Sequence, residues 1–338
     1  MNPPNQPTLP ARQHPPGFSR RFLLAAGLGA LAAPAAQAQG IYPTRPVTII
    51  VPYPAGGASD IGARLLATEL AKALGQPVVI DNVGGAGGAV GVQKLLRAPA
   101  DGYTLLYGAL SETVLVPLIN PAANYRLEDM AAIAFAGATP AAFVTRPDFP
   151  ASTMDELLAL ARKSPGKYSY GSPGIGTFQH LVAETVKMKS GTFLLHIPYR
   201  GGGNIMADVV SGQVDIGVTT APNVVGLMSQ GRVKVLGVTS ASRLPVMPNV
   251  PALGETPVLK GMDLQTWAVV FAPKGLPEAV QQKLNSAINT VLMQPGMAEQ
   301  RRKLGSTLDA ALTPAQTQAF VLRERETYRA AASRVKPE

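Results

Sequence analysis

Strand-like apolar runs alternate with helical repeats along most of this chain, and that alternation predicts an α/β fold with doubly wound sheets. Two further observations set the number of domains. The alternation comes in two series, and the second begins after FVTRPDFP (143–150). The last stretch, 266–338, holds several helical patterns but one strand, so it has no sheet of its own. The simplest arrangement returns that stretch to the first series. It gives two doubly wound α/β domains, 39–141 plus 267–338 and 142–266, joined by two crossing segments near 141–146 and 262–268.

Each element follows from its pattern. VTIIVPY (47–53) is a continuous β-branched run of buried-strand length. From Ser59 to Leu74, Ile61, Leu65, Leu66, Ala73 and Leu74 recur at helical spacing, with Ser59 and Asp60 as start signals and Gly75 as the stop. PVVI (77–80), a helix over 88–97 and the strand YTLLYG (103–108) complete the first series. In the second, Ser152 and Thr153 cap a helix with Asp155 and Glu156 in its first turn. Strands YSYGS (168–172), FLLHIPY (193–199), VDIGVTT (214–220) and VKVLGVTS (233–240) alternate with helices near 177–189, 204–211 and 222–230. A Pro/Gly-rich linker (245–261) ends the series. TWAVVFAP (266–273) is the last strand, and helices fill 277–293, 296–304 and 313–333.

Composition narrows the function. Of 338 residues, 46% are hydrophobic and 15% charged, the balance of a globular chain. Ser19, Arg20 and Arg21 precede an apolar run from Phe22 to about Ala36, and Ala36-Gln37-Ala38 is a small-x-small cleavage signal. This is the layout of an export signal of twin-arginine type, cleaved near Ala38 to release the protein into the periplasm. The run is too short and too weakly apolar to span a bilayer of about 30 Å. Removing residues 1 to 38, with Arg12, Arg20 and Arg21 and no acid, leaves 27 basic against 21 acidic residues, or +6. The basic residues are scattered, with no interleaved aromatic pattern, so nucleic acid is not an expected partner. The absence of cysteine excludes disulfides and thiolate chemistry.

No G-x-S-x-G elbow and no H-E-x-x-H motif occurs. No cluster of metal-ligating residues is visible, so neither metal nor cofactor is expected. NVGGAGGAVG (82–91) fails the dinucleotide fingerprint, and His196 reads as a packed core residue. What remains is two Gly-rich turns between strand and helix. The first is Pro54-Ala55-Gly56-Gly57-Ala58-Ser59-Asp60; the second carries Ser172, Gly174, Gly176, Thr177, Phe178 and His180. A helix N-terminus offers unpaired N–H groups and a positive dipole end, and glycine lets an anion reach them. One such turn per domain suggests a carboxylate gripped from both sides.

The motifs YPTRPVTIIVPYPAGGASD (42–60), GQPVVIDN (75–82), DGYTLL (101–106), GIGTFQH (174–180), HIPYRGGG (196–203), GQVDIG (212–217) and TWAVVFAPKGLP (266–277) occur in a specific order and spacing. Through them, nearly the whole chain after Ile41 resembles the Bug-type (TctC-like) solute receptors of tripartite tricarboxylate transporters. The resemblance implies a type II-like periplasmic binding protein, a monomer and not an enzyme, closing on a small organic carboxylate that it delivers to integral-membrane permease subunits. It places Tyr53, Ala55, Gly56, Gly57, Ala58, Ser59, Asp60, Ser172, Gly174, Gly176, Thr177 and His180 at the ligand, with Ser111 and its neighbours Leu110 and Glu112 along the cleft. Two departures bear on specificity. Phe178 and Gln179 stand where small hydroxyl residues are common, so Phe178 either faces the ligand or packs into the helix. Thr219 and Thr220 stand where an acid and an amide are frequent, which disfavours an amino-acid ligand. The competing readings are a ligand-dependent sensor input, which sequence does not separate from transport, and a periplasmic hydrolase using His180.

Overall fold

The longest strand of the protein, Met130–Thr145, carries seven alanines, Gly137 and Pro140, all poor strand formers, and was not anticipated from sequence. It is the spine of the fold. A computed structural model describes residues 42 to 332, and the export-signal reading on residues 1 to 38 lies outside them. Residues 43 to 332 form one compact unit.

In chain order, β1 (Val47–Val51), α1 (Ala58–Leu74), β2 (Val78–Asn82), α2 (Ala89–Leu96) and β3 (Thr104–Ala109) form the first series. A π-helical turn, Ser111–Leu115, runs into the short α3 (Val116–Ile119) and then β4 (Met130–Thr145). Next come α4 (Met154–Lys163), β5 (Ser169–Ser172), α5 (Phe178–Ser190), β6 (Leu195–Pro198), α6 (Gly202–Ser211), β7 (Ile216–Thr220), α7 (Val225–Ser229) and β8 (Lys234–Val238). The chain ends with β9 (Gln265–Pro273), α8 (Glu278–Leu292), α9 (Pro295–Lys303) and α10 (Pro314–Ala332).

The strands order β2-β1-β3-β9-β4-β7-β5-β6, with β8 on β4. The first half of β4, Met130 to Pro140, pairs with β9; the second, Ala141 to Thr145, has β7 on one side and β8 on the other. Both ends of the sheet are parallel, as the strand–helix alternation predicts, but β4 and β9 run antiparallel to their neighbours. These two strands carry the chain between the groups, so they traverse the sheet rather than wind around it. Register shifts near Ala132 and Phe135 bend β4 on the way.

The C-terminal helices pack against α1 and β4. Asn285 of α8 donates to the Ile133 carbonyl (2.7 Å), and Gln318 of α10 accepts the Ala132 N–H (3.0 Å). Phe320 of α10 meets Phe135 and Trp267 edge-on. No helix among the described residues is long and apolar enough to cross a membrane.

Candidate functional site

The first Gly-rich turn leaves β1 and enters α1. Gly56 adopts φ +83°, a left-handed conformation that only glycine takes without strain, and Gly57 is the helix N-cap. The first intrahelical bond is Ile61 N–H to Gly57 O, so the N–H groups of Ala58, Ser59 and Asp60 lie ahead of the helical ladder. No side chain caps them. Asp60 is buried and turned inward, where its carboxylate accepts from Gly56 N–H, Arg64 Nε and Asn82 Nδ2, each at 2.9 Å. Burial raises its pKa, but those hydrogen bonds outweigh burial and hold it below the usual carboxylate value. Asp60 therefore shapes the turn.

Tyr53, at the mouth of the same turn, reaches Glu112 Oε2 (2.9 Å) and the Gly87 carbonyl (3.1 Å). Burial pushes the fully enclosed Glu112 carboxyl up to about 7, against the opposing hydrogen bonds from Ala109 N–H and Tyr53. A protonated Glu112 would supply the second proton this junction needs, because Tyr53 has one hydrogen for two acceptors.

The second turn, between β5 and α5, is occupied by the protein itself. Thr177 caps α5, its hydroxyl donating to the Gly174 carbonyl (2.7 Å) and accepting His180 N–H. Ser172 bonds Gly174 and His196 Nε2 (2.7 Å); Gly176 N–H donates to His180 Nδ1 (3.2 Å), and Phe178 N–H to Ser111 Oγ (3.0 Å). Phe178 is fully buried, on the packed side of the two positions open to it. The rings of Tyr170, His196 and His180 stack at 4.8 and 4.3 Å.

A third turn, Tyr199-Arg200-Gly201-Gly202-Gly203, leads into α6 and lies outside the residues that sequence places at the ligand. It faces the first turn across a cleft. A Cβ on Gly201 would stand 3.1 Å from Pro54 Cδ, and one on Gly202 would strike Asn223 Nδ2 at 2.1 Å. Gly202 thus lets α6 close against the Thr219–Asn223 pair, in which Asn223 Nδ2 donates to Thr219 Oγ1 (2.7 Å).

The cleft encloses a cavity of about 110 Å³. Of the residues expected at the ligand, Tyr53, Gly57, Ala58, Ser59 and Ser111 line it. Ala55 and Gly56 lie exposed on the outer side of the first turn; Asp60, Ser172, Gly174, Gly176, Thr177, Phe178, His180 and Thr219 are buried outside the lining, and Pro173, Gln179, Gly202, Thr220 and Asn223 line it instead. Gln179 Oε1 and Asn223 Oδ1 are buried acceptors without a hydrogen-bond partner among the described residues. The Ser172–His196 pair is buried away from the cavity, so it does not present a nucleophile there. Farther in, the wall is Ile61, Gly62 and Leu65 of α1, Tyr107 of β3, Thr139 of β4, Trp267 of β9, and Arg301 and Ser306. Sequence offered no pointer to Tyr107, Thr139, Trp267, Arg301 and Ser306, which lie far along the chain from the Gly-rich turns. Among the described residues no group of His, Cys, Asp and Glu is placed to hold a metal ion.

This architecture, with a cleft between two strand groups spanned by β4 and β9, is that of the periplasmic binding proteins. The structure of periplasmic binding protein BugD superposes with a TM-score of 0.81 at 32% identity, covering 88% of this chain and all of that one. An R. palustris protein solved with adipate gives 0.83 at 28% identity, covering 86% and 97%. MatC from Rhodopseudomonas palustris, solved with bound malate, gives 0.79 at 28%, covering 86% and 100%. The model of the tripartite tricarboxylate transporter family receptors matches residues 62–328, and the chain belongs to that family. It is a periplasmic solute-binding protein of the TctC/Bug type.

Proposed function

We propose that this receptor captures a small organic carboxylate, a di- or tricarboxylate or an aromatic acid, and hands it to the permease subunits of a tripartite tricarboxylate-type transporter. The observation that carries the reading is the uncapped first turn of α1, whose leading N–H groups open onto the cleft at Gly57, Ala58 and Ser59. A carboxylate there gains charge-assisted hydrogen bonds and the favourable end of the helix dipole. The second turn contributes through Pro173 and Gln179, the third through Gly202, and the turn after β7 through Asn223. The orphaned amide oxygens of Gln179 and Asn223 suit a hydroxyl or a bridging water on the same ligand. The adipate and malate held by the two similar proteins are acids of this size.

In this reading, residues 39–141 with 267–338 form one lobe and 142–266 the other. Closure about β4 near Pro140 and β9 near Gln265 buries the ligand, and the closed face of a monomer is what the permease meets. A thermal-shift screen of di- and tricarboxylates, aromatic acids and amides tests it. A ligand at a hundredfold over its Kd is expected to raise Tm by at least about 5 °C. No rise with any carboxylate would overturn the reading.

A further inference from the structure

Arg301 is a buried charge that the protein leaves unanswered. Its side chain is 8% exposed and forms no ion pair among the described residues. The other buried charges are settled: Asp60 meets Arg64 at 2.9 Å and Lys187 meets Glu184 at 2.7 Å, while burial favours the neutral form of Glu112. Among the described residues Arg301 has two long bonds, to the carbonyls of Ala136 (3.4 Å) and Leu292 (3.2 Å), and its Nε has no partner there. Leu292 ends α8, so part of the guanidinium caps that helix. That role does not supply a counter-charge, and an unpaired buried cation is strongly disfavoured.

The space beside it is built to admit a ligand. Arg301 lines the same cavity as the first turn of α1. So does Tyr107, whose hydroxyl makes no hydrogen bond among the described residues, while the nearby hydroxyls are spent within the protein, Thr139 donating to Ser306 Oγ and Ser306 to the Ala138 carbonyl, each at 3.1 Å. Gly62 lies inside α1, where glycine is less favourable than alanine. A Cβ there would fall 2.6 Å from the Tyr107 hydroxyl. Gly62 is four residues past Ala58, so at 1.5 Å per residue the inner site lies about 6 Å along the helix from its N-terminus. That matches the separation of the two carboxylates in a short aliphatic diacid.

We propose that the deep end of the cleft is a second anion subsite, in which Arg301 and Tyr107 take the distal carboxylate of a short dicarboxylate whose near carboxylate sits on the first turn of α1. This rests on the carboxylate-receptor reading above and narrows it to a dianionic ligand held by the C-terminal helices as well as the glycine turns.

The test is titration calorimetry with unbranched diacids from succinate to pimelate and the monocarboxylates of matching length. The wild-type protein is expected to bind its preferred diacid at least about tenfold tighter than the matching monoacid. Arg301→Gln should shrink that gap to near unity by weakening the diacid alone, Arg301→Lys should restore part of it, and Tyr107→Phe should give a smaller loss. Equal wild-type affinities for diacid and monoacid would overturn the subsite while leaving the receptor reading intact; so would an unchanged gap in Arg301→Gln. If Arg301→Gln does not fold, the wild-type comparison and Tyr107→Phe decide, since the latter removes only a hydroxyl. Failure of every acid in this series to bind would overturn the subsite, and the receptor reading falls with it only if the wider thermal-shift screen also finds no carboxylate that binds.

Discussion

The two glycine-rich turns look alike in sequence and differ in what occupies them. Around Gly57 the helix begins uncapped, the Asp60 carboxylate is turned inward to three donors, and the leading N–H groups open on the cleft. Around Gly176 the hydroxyls of Ser172, Thr177 and Ser111 and the ring of His180 take the same kinds of group into bonds within the protein. A Gly-rich turn before a helix is therefore not a site by itself. The capping residue decides: glycine leaves the donors for a ligand, whereas threonine uses one of them.

The largest expected effect comes from placing a charge in the open turn. Gly57 has φ −83°, and a Cβ there would meet only the Pro54 carbonyl at 3.6 Å, so Gly57→Asp should fold normally. Its carboxylate would repel the ligand's at a cost of several kcal/mol, about a thousandfold in Kd. Wild-type affinity in calorimetry would remove the first turn from the site.

The buried titrating groups beneath the two turns should pull stability in opposite directions. Burial holds the Glu112 carboxyl at about 7 against an ordinary 4.5, so the folded state keeps a proton the unfolded state has lost. Its contribution falls as pH rises from about 4.5 to 7, by on the order of 3 kcal/mol. Burial, reinforced by His180, lowers His196 from 6.5 to about 4, so its contribution is lost as pH falls over that range. Melting of Glu112→Gln should therefore rise with pH between 4.5 and 6.5, and that of His196→Gln should fall. Parallel profiles for the two variants would show that neither group titrates as placed.

The smallest effect expected is at the closed turn. Thr177→Ala removes the cap of α5 and should lower stability by about 1 kcal/mol in denaturant unfolding, with ligand affinity little changed. A large loss of affinity without a loss of stability would return the second turn to the ligand.

Much of the fold was legible because β-branched runs and helical repeats are local signals. Gly75 ends α1 in a left-handed conformation, and Thr153 caps α4, as their residue types suggest. The strand β4 was not legible, because its alanines, Gly137 and Pro140 carry no strand signal and only pairing with β9, β7 and β8 makes them one. The site divides in the same way. Tyr53 and the run Gly57 to Ser59 could be read from a glycine pair beside a strand and a helix. Asn223, Gln179, Tyr107 and Arg301 reach the cleft through tertiary packing of separate elements, which no local pattern records.

The most direct test follows backbone amides by ¹⁵N NMR while the preferred diacid is titrated in. The Ala58 and Ser59 signals should move downfield, as amides do on bonding a carboxylate, and by more than those of Gly174, Gly176 and Phe178. Large shifts confined to residues 174–178, with Ala58 and Ser59 unmoved, would contradict the account.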